Sequence, residues 1–179
     1  MRAVFSTRLE PSNELEAGWR WWIIVWLPVA IAILVIAIES TGTFSAQNTS
    51  SWLRPVFEKV IGAISDPTWE ALHHYLRKTG HFVGYGTVGF TFLRAWLHTR
   101  ARRPVGSLLA WRVECTVLAI LSTAVVASCD EFHQSFLPAR TGTPVDVLLD
   151  TSGACTLCLA VWLIFWRARA VSAGDACEG

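Results

Sequence analysis

The sequence predicts an all-α, polytopic membrane protein: four transmembrane helices and one extracytoplasmic amphipathic helix. Three observations predict it. Hydrophobic residues make up 53% of the 179, and the mean hydropathy of +0.40 is above that of an ordinary soluble domain. Apolar runs close to the roughly 20 residues that span a bilayer recur along the chain. Arg and Trp residues collect at one end of each run. The net charge of +1 gives no electrostatic reason to expect a nucleic-acid partner.

The chain divides into a cytoplasmic arm (residues 1–20), a membrane domain (21–166) and a cytoplasmic tail (167–179). The first span runs from Trp21 to Ile38 and is interrupted by Pro28. Its apolar core exceeds the 7–15 residues or so of a signal peptide, and "TFSAQ" is a weak cleavage site, so the span is expected to be retained. Trp52, Leu53, Val56, Phe57, Val60, Ile61 and Ile64 then recur at helical spacing opposite Arg54, Glu58 and Lys59. That is an amphipathic helix lying on the outer membrane face or over the bundle. Asp66 before Pro67 reads as an N-cap with Pro at the first helical position, opening a helix that can run unbroken into the second span, His81 to Leu97. The third span runs from Val113 to Cys129 and the fourth from Val145 to Trp166.

Basic residues set the orientation. Arg2, Arg8 and Arg20 lie in the arm, Arg100, Arg102, Arg103 and Arg112 between spans two and three, and Arg167 and Arg169 in the tail. The positive-inside rule puts all three in the cytoplasm. Trp19, Trp21, Trp22, Trp96, Trp111, Trp162 and Trp166 fall at the same boundary as an aromatic belt.

With that orientation, polar groups converge on the outer side. Lys78 and His81 stand at the outer end of span two, Glu131, His133 and Gln134 at that of span three, Asp146 at that of span four, and Arg140 in the short link between. His74, Lys78, His81 and Tyr85 are spaced four, three and four, along one helix face. Asp146 and Asp150 are four apart, and Asp150 falls inside the hydrocarbon boundary, where a charge needs a partner or an aqueous cavity. Each of these residues also has a plainer reading. Lys78 can snorkel to the interface, His81 can bond a neighbouring helix, and Arg140 can pair with Glu131 or Asp146. In "TGTPVD", Thr143 can be an N-cap with Asp146 in the acidic position of a capping box.

Two stretches, "RKTGHFVGYGTVGF" and "DEFHQSFLPARTGTPVDVLLDTSGA", resemble the VanZ-like family of small membrane proteins. The similarity covers about residues 70–160 and rests on Lys78, His81, Tyr85, Asp130, Glu131, Gln134, Pro138, Arg140 and Asp146. The chain has Ala139 where the family often has Gly, and Asp150 where it often has Asn. The resemblance implies a multi-pass protein of the cell membrane and an association with resistance to the glycopeptide antibiotic teicoplanin.

Three activities fit these residues. In the leading one, Lys78, His81, Tyr85, Glu131, Gln134, Arg140, Asp146 and Asp150 form an outward-facing site for an anionic cell-envelope molecule. A lipid headgroup, a lipid-linked wall precursor and a glycopeptide all qualify, and Arg140's planar fork suits phosphate or carboxylate. In the second, the protein is an intramembrane enzyme with His81 or Glu131 as general base. In the third, Asp150, Glu131 and His81 relay protons in an oligomeric carrier. A metal could draw on His81, Glu131, His133, Asp146 and Asp150, but no pair has a zinc spacing, and Lys78 and Arg140 would oppose a cation. No metal or cofactor is therefore expected. Cys155 and Cys158 form a CxxC inside an apolar run and read as small residues at helix contacts.

Overall fold

A computed structural model describes residues 18–101, 107–138, 140 and 142–167. The arm with Arg2 and Arg8, the link residues Arg102 and Arg103, Ala139, and the tail beyond Arg167 lie outside them. The described residues are helical, with no strand among them: α1 (Trp19–Glu39), a 3₁₀ turn (Gly42–Phe44), α2 (Ala46–Ile61), α3 (Asp66–Arg100), α4 (Leu108–Gln134), α5 (Pro144–Val161) and a closing π turn (Trp162–Arg167).

Three stretches are long and apolar enough to cross a membrane: Trp19–Glu39, Leu108–Gln134 and Pro144–Phe165. The expected second span, His81 to Leu97, is not among them. It lies within α3, where Gly84, Gly86, Gly89, Thr87, Thr91 and Arg94 dilute the apolar run. The reason is α3's place in the bundle. It packs against α1, α4 and α5 and buries Tyr85, Val88, Phe92, Leu93, Ala95 and Leu97. A helix surrounded by helices does not need an apolar exterior all round. The outer helices do the reverse: Ile24, Leu27, Ile31 and Leu34 of α1, and Val117, Leu121 and Val125 of α4, are exposed.

Pro28 breaks the ladder of α1 because it has no N–H to offer the Ile24 carbonyl. Arg94 of α3 answers that site from across the interface: its Nη1 donates to the Val25 carbonyl at 3.0 Å and approaches that of Ile24 at 3.5 Å. At membrane depth a freed carbonyl and a lone guanidinium would each be costly, and here each satisfies the other.

The buried face of α4 repeats every fourth residue, Trp111, Cys115, Ala119, Thr123, Ala127 and Glu131. The core stripe thus ends in a carboxylate. Between α3 and α5 the backbones touch: a Cβ on Gly153 would lie 2.1 Å from the Phe82 carbonyl oxygen, and one on Gly89 2.6 Å from Ala154 Cβ. Small residues permit this approach, and it fixes Asp150 beside His81.

α3 is about 52 Å long at 1.5 Å per residue, more than the roughly 30 Å of a bilayer core. Its N-terminal third is flanked by α2, which starts from the Ser45 cap and stops at Gly62, whose φ of +88° suits glycine. Trp69 Nε1 donates to Ser50 Oγ at 2.6 Å, His73 Nε2 lies 3.0 Å from Thr49 Oγ1, and Arg54 bridges Glu58 and Asp66. Leu53 and Phe57 turn towards this contact, while Trp52, Val56 and Val60 stay exposed along one stripe. The cap of α3 is Ser65, one residue before the expected Asp66; its hydroxyl pairs with Thr68 Oγ1 at 2.8 Å.

Candidate functional site

At one end of the bundle, α3, α4 and α5 with the link residue Arg140 and Ala46 of α2 enclose a chamber of about 230 Å³ lined by Ala46, His74, Arg77, Lys78, His81, Glu131, Gln134, Arg140 and Asp146. At roughly 30 Å³ per water, it has room for a phosphate-sized group with a few waters. Lys78, His81, Glu131, Gln134, Arg140 and Asp146, singled out in the sequence, all reach this one space. Tyr85 and Asp150 do not line it and stand behind His81. His133 is exposed and borders a different hollow with Cys129 and Asp130.

Each side chain is placed by a bond that can be named. Lys78 Nζ donates to Asp146 Oδ1, tying α3 to α5. Tyr85 Oη donates to Asp130 Oδ2 at 2.9 Å, and Gln134 Nε2 donates to the same oxygen at 2.9 Å. The Tyr85 ring stacks on His81, centroids 6.3 Å apart and planes 20° from parallel. His81 Nδ1 stands 3.4 Å from Asp150 Oδ1, within ion-pair range but without hydrogen-bond geometry, since neither Asp150 oxygen has a hydrogen-bond partner among the described residues.

Two expectations are corrected by these bonds. The capping box of α5 is not closed by Asp146. Thr143 Oγ1 does accept from the Asp146 amide at 3.2 Å, but the Thr143 amide donates to Glu131 Oε2 of α4 at 2.9 Å. Asp146 is drawn to Lys78, and a carboxylate from another helix fills its place. Gly142 makes this possible: a Cβ there would lie 2.0 Å from the Glu131 carbonyl oxygen. Arg140, in turn, pairs with neither Glu131 nor Asp146. Its Nη2 donates to the carbonyls of Glu39, Thr41 and Phe44 at 2.5, 3.2 and 2.9 Å, strapping the α4–α5 link to the α1–α2 link.

Arg77 is the residue that sequence reasoning passed over. It precedes Lys78, lines the chamber, and makes no hydrogen bond or ion pair to a described residue. Burial holds its guanidinium below the ordinary value, with Asp146 pulling the other way; an arginine stays charged at neutral pH regardless. The spacing from His74 could have found it, since three residues on a helix share a face.

A bundle of helices, three of them apolar enough to span a membrane, with acids, bases and amides gathered at one end, defines a membrane-type protein with a buried polar site. Residues 21–167 match the VanZ/LLP1 family model, and the chain belongs to that family. No curated protein and no solved structure matches it.

Proposed function

We propose that the chamber recognises the anionic headgroup of a cell-envelope molecule. The observation that carries this reading is Arg77: a partly desolvated guanidinium lining the cavity, with no hydrogen bond or ion pair to a described residue. Arg77 and Lys78 supply the positive side, and Gln134 with the Lys78–Asp146 pair supplies hydrogen bonds that orient the group. Phosphate and carboxylate fit the planar donor fork equally; a lipid headgroup and a lipid-linked wall precursor are the two sources. On this reading α3 is a fourth span, both termini are cytoplasmic, and α2 lies at the outer interface with Trp52, Val56 and Val60 towards the membrane.

The test is retention. Protein in nanodiscs made with an envelope lipid extract is expected to keep a phosphate-bearing species through native mass spectrometry, and Arg77→Gln is expected to lose it. Equal retention by Arg77→Gln would reject the reading. Topology is checked by alkaline phosphatase fusions, expected active after Ile61 and Arg140 and inactive after Arg103 and Arg169. A wall precursor among the bound species would link the chain to glycopeptide resistance, to be checked by the teicoplanin susceptibility of a strain lacking it.

The meeting of His81 with Glu131 favours a second reading, an intramembrane enzyme with one of them as general base. The same nanodiscs separate the two: a converted product in wild type, absent in Glu131→Gln, identifies the enzyme.

A further inference from the structure

Behind the chamber wall, α3, α4 and α5 bring His81, Glu131 and Asp150 together, with one donor atom from each within 4.8 Å of the others. Asp150 is the unusual member. It is fully buried, and neither of its oxygens has a hydrogen-bond partner among the described residues. An ionised carboxylate in such surroundings is strongly disfavoured unless it is paired. A protonated His81 at 3.4 Å would answer one oxygen and leave the other. Glu131 then adds a second carboxylate to the same space. One divalent cation would answer all three groups.

We propose that His81, Glu131 and Asp150 bind a single divalent transition-metal ion of the Zn²⁺ or Mn²⁺ type. One imidazole nitrogen and two carboxylates form a borderline donor set that suits these ions. Three protein ligands leave coordination positions open, and His81 and Glu131 both border the chamber, so those positions face it. Ligand distances of about 2.0–2.2 Å require the three side chains to close inwards by roughly 1 Å.

The surroundings fit an ion better than spacing in the chain suggests. Glu131 Oε2 is already oriented by the Thr143 amide, and the carboxylate has a second oxygen to give. Tyr85 holds the His81 ring from its stacked face and is itself held by Asp130. Outer partners of this kind orient ligands in known sites. The cations expected to repel a metal are engaged elsewhere: Lys78 by Asp146, and Arg140 by three backbone carbonyls. Arg77 remains at the chamber wall, where an anion could bridge it and the metal.

The site concerns metal content alone, so it can fail while the headgroup reading holds, and the reverse. Full-length protein in detergent is stripped with a chelator, loaded with Zn²⁺ alone and desalted. About one equivalent per chain is expected by elemental analysis, with X-ray absorption showing a nitrogen and oxygen shell and imidazole scattering. Asp150→Asn and His81→Gln are each expected to weaken binding at least about tenfold, the lower end of what outer-shell partners alone contribute. Glu114→Gln, which alters a carboxylate paired with Arg100, is expected to bind as wild type does. Stoichiometry well below one equivalent, a sulfur shell from the cysteines, or wild-type affinity in Asp150→Asn overturns the proposal. If either variant fails to give a helical circular dichroism spectrum, the wild-type absorption spectrum decides alone.

Discussion

Asp146 and Asp150 stand one turn apart on α5, and the fold treats them in opposite ways. Asp146 sits at the rim of the chamber, where Lys78 takes its carboxylate and Thr143 its amide. Asp150 sits one turn deeper, has no exposed surface, and has no hydrogen bond to either oxygen. The difference teaches where this bundle is self-sufficient. Its rim is closed by the chain's own groups, whereas its floor holds a carboxylate with no hydrogen bond among the described residues and His81 alone within ion-pair range.

Glu131 belongs to both levels, so changing it is the most direct way to break the contrast. It caps α5 through the Thr143 amide and faces Asp150 across the floor. Glu131→Ala is expected to lower stability by about 3 kcal/mol, the upper end for stranding a buried partner, read by denaturant unfolding in detergent. Glu131→Gln keeps an acceptor oxygen and is expected to lose no more than about half of that. Equal losses would mean that the cap bond is not what Glu131 contributes.

Asp150→Asn sharpens the contrast by its sign. It removes a charge and keeps the shape, so metal-free protein is expected to become more stable by about 2 kcal/mol. A fall in the melting temperature of chelator-treated protein would mean that Asp150 is already satisfied. Asp146→Asn is expected to move the other way, by about 1 kcal/mol, since Lys78 is partly exposed and loses one ion pair. The Lys78→Met, Asp146→Asn double variant is expected to recover part of that loss, and a double-mutant cycle measures how much.

The smallest effect lies above the chamber. Burial against Trp69 and α2, with Arg77 nearby, holds the His73 imidazole below its ordinary 6.5. Above pH 6.5 the ring is neutral in both folded and unfolded chains, and its contribution is intact. As pH falls below 6.5 the unfolded chain takes up the proton first, so stability declines, by no more than about 1 kcal/mol. Comparing melting at pH 7.5 and 5.5 in wild type and His73→Gln isolates this slope; identical slopes would reject it.

Much of the fold was legible because apolar length and helical period are local properties. The unbroken run of α3, the amphipathic spacing of α2 and the Thr143 cap could all be read from neighbouring residues. The status of α3 was harder, because its polarity reflects a central position that only the other helices create. The site divides in the same way. That Lys78, Glu131 and Asp146 share a depth follows from where their spans end. That Glu131 caps a helix other than its own, or that Arg140 seeks carbonyls about a hundred positions away, has no local trace. His81, Glu131 and Asp150 were already among the candidates for a proton relay or a metal, but that these three meet while His133 and Asp146 stay apart from them has no local trace, because each comes from a different helix.

The Arg140 strap has a consequence for how the chain can change. The stretch from Glu39 to Phe44 contributes main-chain oxygens, and any residue type carries those. Libraries that vary the side chains at Thr41 and Phe44 leave the strap intact. Adding or deleting one residue there shifts the carbonyls off the guanidinium, at a loop where length would ordinarily be free to drift. The stretch behaves like a ruler, open in spelling and fixed in count.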